Sequence, residues 1–381
     1  MSDAGPRPRG WTRRTVLLGG SALAVEAKEP ALPAEWARYP DPATEFEVLR
    51  LTDPNSECVL PRPPARVVAR NSGSILVVSP RTGSPQVFRI DVGNGTWRQI
   101  TWADQLLADS VTFSSDDRGV FFAAAGSLRY TPTSGWREQE VCRIRDGFAL
   151  REAPAVSTDA QTLFFVEAGP KTSEVRRVRF PRGTPETVFS FDGQIRDLEI
   201  NPRRAMLCWR SETGELWVSA WDGSLRRRVE TPAGTVRQAL WSPDGRAILY
   251  LLAPPPELRQ LIAIREQDLD GRSDKLIATT TQFAAFSRNA NASVFLGASG
   301  TKASPHVLLL LRATRREFTL CEHRSSDPQT ITPIFAPNSQ RIFFQSDRHG
   351  KPAIYTMLVE KIVEKTEDET SPTKTPSASD R

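Results

Sequence analysis

Hydrophobic and polar positions along this chain repeat in a fixed order. An apolar residue is followed by a short polar turn, four or five β-branched or aromatic residues, another turn, and a second strand. The unit recurs seven times, starting near Arg70, Phe113, Val156, Ile200, Trp241, Phe286 and Phe335. From Phe113 onward the intervals are 43, 44, 41, 45 and 49 residues. That is the size of a four-stranded propeller blade and too long for a leucine-rich or hexapeptide solenoid. Turn chemistry agrees, because Ser242-Pro243-Asp244-Gly245 puts proline at the second turn position and glycine at the end, where a tight turn wants them. The run Ala247-Ile248-Leu249-Tyr250-Leu251-Leu252 that follows is apolar throughout, as in a strand covered on both faces by neighbouring blades. The predicted architecture is all-β, a seven-bladed β-propeller.

The two ends of the pattern predict how the ring closes. The last copy runs from Phe335 to Ile354-Tyr355-Thr356-Met357 and then turns into a charged tail, without the outer strand that other copies have, such as Trp97-Arg98-Gln99-Ile100-Thr101. Phe46-Glu47-Val48-Leu49-Arg50-Leu51-Thr52 has that outer-strand pattern and belongs to no copy. Pairing this N-terminal strand beside Ile354 to Met357 would complete the last blade and remove two exposed sheet edges. The propeller is thus expected over residues 44–361, after a linker at 28–43. Residues 362–381 are expected to be a disordered tail, since from Glu364 onward they are polar and free of aromatic residues.

Residues 1–27 read as an export signal. Thr12-Arg13-Arg14-Thr15-Val16-Leu17-Leu18 resembles the twin-arginine motif, and the apolar run that follows to Ala24 is too short to span a bilayer as a mature helix. Small residues at Ala22 and Ala24, or Val25 and Ala27, offer two cleavage sites. The mature chain has no long apolar segment, so it is expected as a monomer in the periplasm or outside the cell, with no membrane span. Its 39% hydrophobic and 25% charged residues fit a globular core. The formal charge of +5 falls to +3 once Arg7, Arg9, Arg13, Arg14, Asp3 and Glu26 are removed with the signal. The remaining arginines alternate with acids instead of forming a stripe, which argues against nucleic acid as a partner. Cys58, Cys142, Cys208 and Cys321 lie far apart without metal-ligand spacing, three of them inside strand-like runs. Free buried thiols acting as small hydrophobes are expected, although an exported protein could also form disulfides.

The repeats, especially Trp241 to Gly245 and Ser339 to Met357, look like the TolB-type propeller repeat. The ordered set is more specific. Arg50-Leu51-Thr52-Asp53-Pro54, then Arg81 to Thr101, then Leu320 to Asp327, Phe335 to Asp347 and Ile354 to Met357 is similar to the oligogalacturonate lyase propellers. That resemblance implies a lyase that breaks short pectin fragments by β-elimination, with a metal held mainly by histidines at the propeller's centre and a histidine nearby as base. The chemistry needs both, because taking the proton beside a uronate carboxylate creates a dianion. Manganese would accompany that lyase reading, and no cofactor is expected otherwise. This chain has only His306, His323 and His349. Where the family carries a histidine before the W-S-x-D-G turn, this chain has Arg237-Gln238-Ala239-Leu240. Where the family has a histidine pair before its last turn, this chain reads Gln329-Thr330-Ile331-Thr332. Of the three histidines, only His323 matches the family pattern, and no metal site is expected.

The innermost strand of each blade lines the channel just ahead of the repeat turn, so its polar residues are the candidate ligand contacts. Arg66, Arg151, Arg196 and Arg237 fall there, with Gln238, Gln282 and Thr332 as neutral groups and Asp109, Glu152 and Asp197 as acidic partners. Arginine's planar fork suits carboxylates. Two readings follow. One is a propeller of the oligogalacturonate lyase type that binds an acidic oligosaccharide, its catalytic competence in doubt for want of histidines. The other is a non-catalytic TolB-like propeller that binds a protein of the cell envelope, its arginines serving only to tie blades together.

Overall fold

The structure, a computed structural model, describes residues 31–134, 137–270 and 273–360. The export signal at 1–27 and the tail at 362–381 lie outside these residues. Seven antiparallel sheets follow one another along the chain. Inner strands are Leu106–Phe113 in blade 2, Ala155–Val156 in blade 3, Ile195–Ile200 in blade 4, Thr235–Trp241 in blade 5, Phe283–Arg288 in blade 6 and Ile334–Phe335 in blade 7. Blade 1 has the three strands Ser74–Ser79, Gln86–Asp91 and Trp97–Gln99, and a bridge from Val68 to Ile75 places its inner segment.

The second strand of each blade explains the apolar runs of the sequence. Successive side chains of a strand point to opposite faces, so a pair of adjacent phenylalanines serves two layers at once. In Gly119–Ala124, Phe121 packs with Leu163 and Phe165 of blade 3, whereas Phe122 joins Val77 and Phe88 of blade 1. Phe164 and Phe165 divide in the same way, Phe164 meeting Trp209 of blade 4. Each such ring is fully buried and contributes about 1.5–3 kcal/mol of transfer free energy.

Turns after the inner strands repeat one construction. Ser242 Oγ donates to Asp244 Oδ1 at 2.6 Å, and the Gly245 N–H donates to the Ser242 carbonyl at 2.9 Å. Gly245 takes a left-handed backbone, φ 68°. In blades 1, 2, 3, 6 and 7 the same position is held left-handed by Ser72, Asp117, Ala160, Ala292 and Ser339.

Closure follows the sequence pattern and adds to it. Glu47–Arg50 pairs antiparallel with Ala353–Leu358, Leu49 opposite Thr356 and Arg50 opposite Tyr355. The stretch 28–43, expected as a linker, departs from that reading, because Ala37–Pro40 forms a further strand outside Glu47–Arg50 and gives blade 7 five strands. A buried ion pair clips this hairpin to blade 7, with Arg348 Nη1 3.4 Å from Asp41 Oδ2 and the two side chains 5% and 0% exposed. The Arg348 guanidinium also donates to the Glu322 carbonyl and lies 5.1 Å from the centre of the Tyr39 ring. The four cysteines are free and buried. Among the described residues no helix is long and apolar enough to cross a membrane.

Candidate functional site

Inner strands enter the channel at their first residues, and two adjoining cavities open there. The smaller, about 140 Å³, brings together Arg237 and Gln238 of blade 5, Thr332 and Gln329 ahead of blade 7, Asp197 of blade 4 and Arg62. The larger, about 440 Å³, shares Arg62 and Thr332 and is otherwise acidic, with Asp109, Asp327 and Asp347 in its wall. Arg62 stands between them, its Nε 3.8 Å from Asp109 Oδ2 and its backbone N–H donating to Asp109 Oδ1 at 3.3 Å. Anionic groups are therefore favoured on the Arg237 side of this divide and repelled on the other.

Arg237 is exposed into the small cavity and, among the described residues, makes no ion pair or hydrogen bond. Gln238 sits at a register shift in its strand and turns its Oε1 to accept the Phe286 N–H at 3.0 Å. Its amide nitrogen has no hydrogen-bond partner among the described residues. Thr332 Oγ1 donates to the Thr330 carbonyl at 3.3 Å, and Thr330 Oγ1 to that of Asp327 at 2.8 Å. Arg210, also in the wall, is bonded to Asp197.

Other sequence candidates stand elsewhere. Arg66 is a correction: its guanidinium meets Asp117 Oδ1 at 2.6 Å, the Ser114 carbonyl and the Val68 carbonyl, tying blade 1 to the turn of blade 2. It borders a different cavity of about 250 Å³ at the opposite ends of the inner strands, beside Phe113 and Glu199. Arg196 lies 3.7 Å from Glu152 and 3.5 Å from Glu212, so an acidic pair occupies it. Arg151 is exposed, makes no ion pair or hydrogen bond among the described residues, and lines neither entrance cavity. Gln282 is half-buried, its backbone N–H donating to Thr280 Oγ1 at 3.1 Å, and lies outside both cavities. His323 is the second correction, being fully buried. Its Nδ1 accepts the Ser325 N–H at 3.1 Å and its Nε2 faces the Ser299 carbonyl at 3.2 Å. Burial pushes its pKa down to about 4, so the ring is neutral and structural. Arg62, Arg210 and Gln329 were not foreseen, because none belongs to an inner strand. The proline-flanked sequence Pro61-Arg62-Pro63-Pro64 is the one signal that marks a stiff, exposed arginine there.

These residues do not fit a divalent metal. Around the small cavity the donors are one carboxylate, Asp197, already held by Arg210, the Gln238 amide oxygen bonded to a backbone N–H, the Gln329 amide, and the Thr332 hydroxyl turned onto a backbone carbonyl. Arg237 and Arg210 line the same space. Two guanidinium groups repel a dication, and a single carboxylate already paired with one of them, beside hydroxyl and amide oxygens, is a poor donor set compared with several imidazoles or carboxylates.

No family model matches this chain, and no curated protein matches it. Solved structures do. An oligogalacturonate lyase in complex with manganese superposes with a TM-score of 0.81 at 20% identity, covering 88% of this chain and 100% of that one. An oligogalacturonate lyase from Vibrio parahaemolyticus gives 0.80 at 18% identity, covering 87% of this chain and 99% of that one. The chain has the seven-bladed fold of the oligogalacturonate lyase structures.

Proposed function

We infer that this propeller binds an acidic oligosaccharide, of the kind derived from pectin, at the channel entrance, and that it does so without manganese-assisted elimination. One observation carries the reading: among the described residues Arg237 is an unpaired guanidinium, in a cavity that also holds the Gln238 amide nitrogen, likewise without a partner there. A carboxylate placed there would gain charge-assisted hydrogen bonds worth about 1.5–3 kcal/mol. Hydroxyl groups of a sugar suit the remaining amide and threonine wall. The solved lyases of the same fold act on oligogalacturonate by their names, which supports a uronide ligand here. The poor fit to a dication argues against the metal-dependent step. Export by the twin-arginine route, read from Arg13 and Arg14, would put the protein where such fragments occur.

The test is a calorimetric titration with di- and trigalacturonate, with and without manganese, on the wild type and on Arg237→Ala. Saturable binding that Arg237→Ala weakens by roughly 10-fold or more, as loss of one such contact requires, is the expected result. Binding untouched by Arg237→Ala would remove the residue from the site. Manganese-dependent turnover by the wild type would overturn the claim about the metal.

A further inference from the structure

The larger cavity at the channel entrance carries a pattern of charge and hydrogen bonding that an acidic ligand cannot use. Its wall holds four carboxylates, Glu57, Asp109, Asp327 and Asp347, against the single guanidinium of Arg62. Arg62 offsets little of that charge, because its Nε is 3.8 Å from Asp109 Oδ2 and its side chain is 60% exposed. Asp327 Oδ1 accepts the Gln329 N–H at 3.0 Å, whereas its Oδ2 and the whole Glu57 carboxylate have no partner among the described residues. Burial acts to raise the Asp347 carboxyl, but the Ser326 hydroxyl and N–H that donate to it, the latter at 2.8 Å, hold it below the ordinary range and keep it charged.

Gln345 adds an independent observation. It is 7% exposed, lines this cavity, and turns its Oε1 to accept the Leu60 N–H at 2.8 Å. That bond fixes which end of the amide is the nitrogen. Nε2 is reached from the cavity and has no partner among the described residues. A buried donor without an acceptor is costly, so the ligand that fits here brings an acceptor as well as a positive charge.

We propose that this cavity binds a protonated amino sugar, with its ammonium among the carboxylates of Asp109, Asp327 and Asp347 and a neighbouring hydroxyl accepting from Gln345 Nε2. Among the described residues no three acidic or histidine groups stand close enough to share one metal ion. The negative charge is spread over a space of about 440 Å³, within the range of about 300–1,000 Å³ typical of small-molecule sites. A lysine side chain would satisfy the carboxylates, but its alkyl stem offers Nε2 no acceptor. An amino sugar carries hydroxyls beside its ammonium. The hydroxyls of Ser326, Thr330 and Thr332 give their own protons to Asp347 and to backbone carbonyls, which leaves their oxygens as acceptors for further sugar hydroxyls. Val59 and Pro352 supply apolar wall for ring carbons. The subsite does not depend on Arg237, which lies outside this cavity.

The experiment titrates full-length protein calorimetrically with the β-1,4-linked glucosamine dimer, its N-acetylated counterpart and trilysine. Saturable binding of the glucosamine dimer is expected, weakened roughly 10-fold or more by N-acetylation, which removes the charge. The double replacement Asp109→Asn with Asp327→Asn keeps side-chain shape and an oxygen for the Arg62 and Gln329 N–H groups. An unchanged Tm shows its fold to be intact, and it should weaken the dimer by a similar factor. Glu57→Gln, at an exposed side chain without a partner among the described residues, should weaken the dimer as well. Wild type that fails to bind the dimer, equal binding of the acetylated form, or variants that bind as well as wild type would each overturn the proposal. Trilysine binding as tightly as the dimer would also overturn it, by showing that a basic peptide takes the cavity. Trigalacturonate titrated alongside reports on the Arg237 cavity, so the two readings fail separately.

Discussion

At the scale of single residues, the repeat turn shows how local strain is distributed around the ring. Glycine occupies the left-handed position in blade 5, but Ala160 holds φ 59° and Ala292 φ 57° at the equivalent places. An alanine there brings its Cβ close to the following carbonyl, at a cost of about 1–2 kcal/mol that glycine avoids, partly offset by glycine's greater freedom in the unfolded chain. Ala160→Gly should therefore raise stability by roughly 0.5–1 kcal/mol, measurable as a higher urea midpoint, and a lower midpoint would contradict this account. Glu199 makes a pH prediction. Enclosure raises its pKa from 4.5 to about 7, against the opposing pull of the Trp241 N–H and Arg288. Between those two values the folded chain holds a proton that the unfolded chain has released, so stability falls as pH rises through this window. The loss approaches the order of 3 kcal/mol at 1.36 kcal/mol per pH unit. Denaturation of wild type and Glu199→Gln at pH 5 and pH 8 should show the variant with the flatter dependence.

At the scale of elements, the hairpin of Ala37–Pro40 and Glu47–Arg50 determines whether the ring is shut. Its strand pairing with Ala353–Leu358 is short, and Asp41 adds what pairing lacks. This carboxylate faces Arg348 and accepts N–H groups from Ala43 at 3.1 Å and from Glu322 of blade 6 at 3.1 Å. Removing one partner of a buried pair leaves the other charge uncompensated, which costs about 3–5 kcal/mol. Asp41→Ala should destabilise the fold by about that amount in chemical denaturation, and a change below about 1 kcal/mol, typical of exposed pairs, would show that the clip is dispensable. Deleting residues 44–54 should lower the melting temperature of the whole propeller, because an open ring exposes two sheet edges and the core beneath them.

At the scale of the whole molecule, burial keeps the cysteines out of chemistry. The Cys142 thiol is pushed up to about 12 and those of Cys58, Cys208 and Cys321 are raised by the same burial. Thiolate is the reactive form, so none should react with a thiol reagent until the propeller unfolds, when all four should react together. One cysteine labelled in the native state would reveal a local opening. Export belongs to this scale as well. Replacing Arg13 and Arg14 with lysine should leave the protein in the cytoplasm, as fractionation would show, and unchanged recovery outside it would refute the twin-arginine route.

The sequence by itself determined the seven blades and their closure, because a propeller repeats one local unit and each copy carries its own turn chemistry and apolar strand. The period, the serine–aspartate turns and the orphan strand at Phe46 to Thr52 are all readable within a few residues. The scarcity of histidines is likewise legible, since it is a property of composition. Which arginine is free was decided only in three dimensions. Arg66 and Arg237 both stand just ahead of a repeat turn, yet Asp117 from the neighbouring blade occupies the first, whereas among the described residues nothing pairs with the second. His323 matched a motif but is sealed between backbone partners. Asp197 and Glu152 belong to different blades, and a bulge with a left-handed residue brings them together. Such contacts join residues some 45 positions apart in the chain, so no local pattern could specify them. They follow from how neighbouring blades meet around the channel.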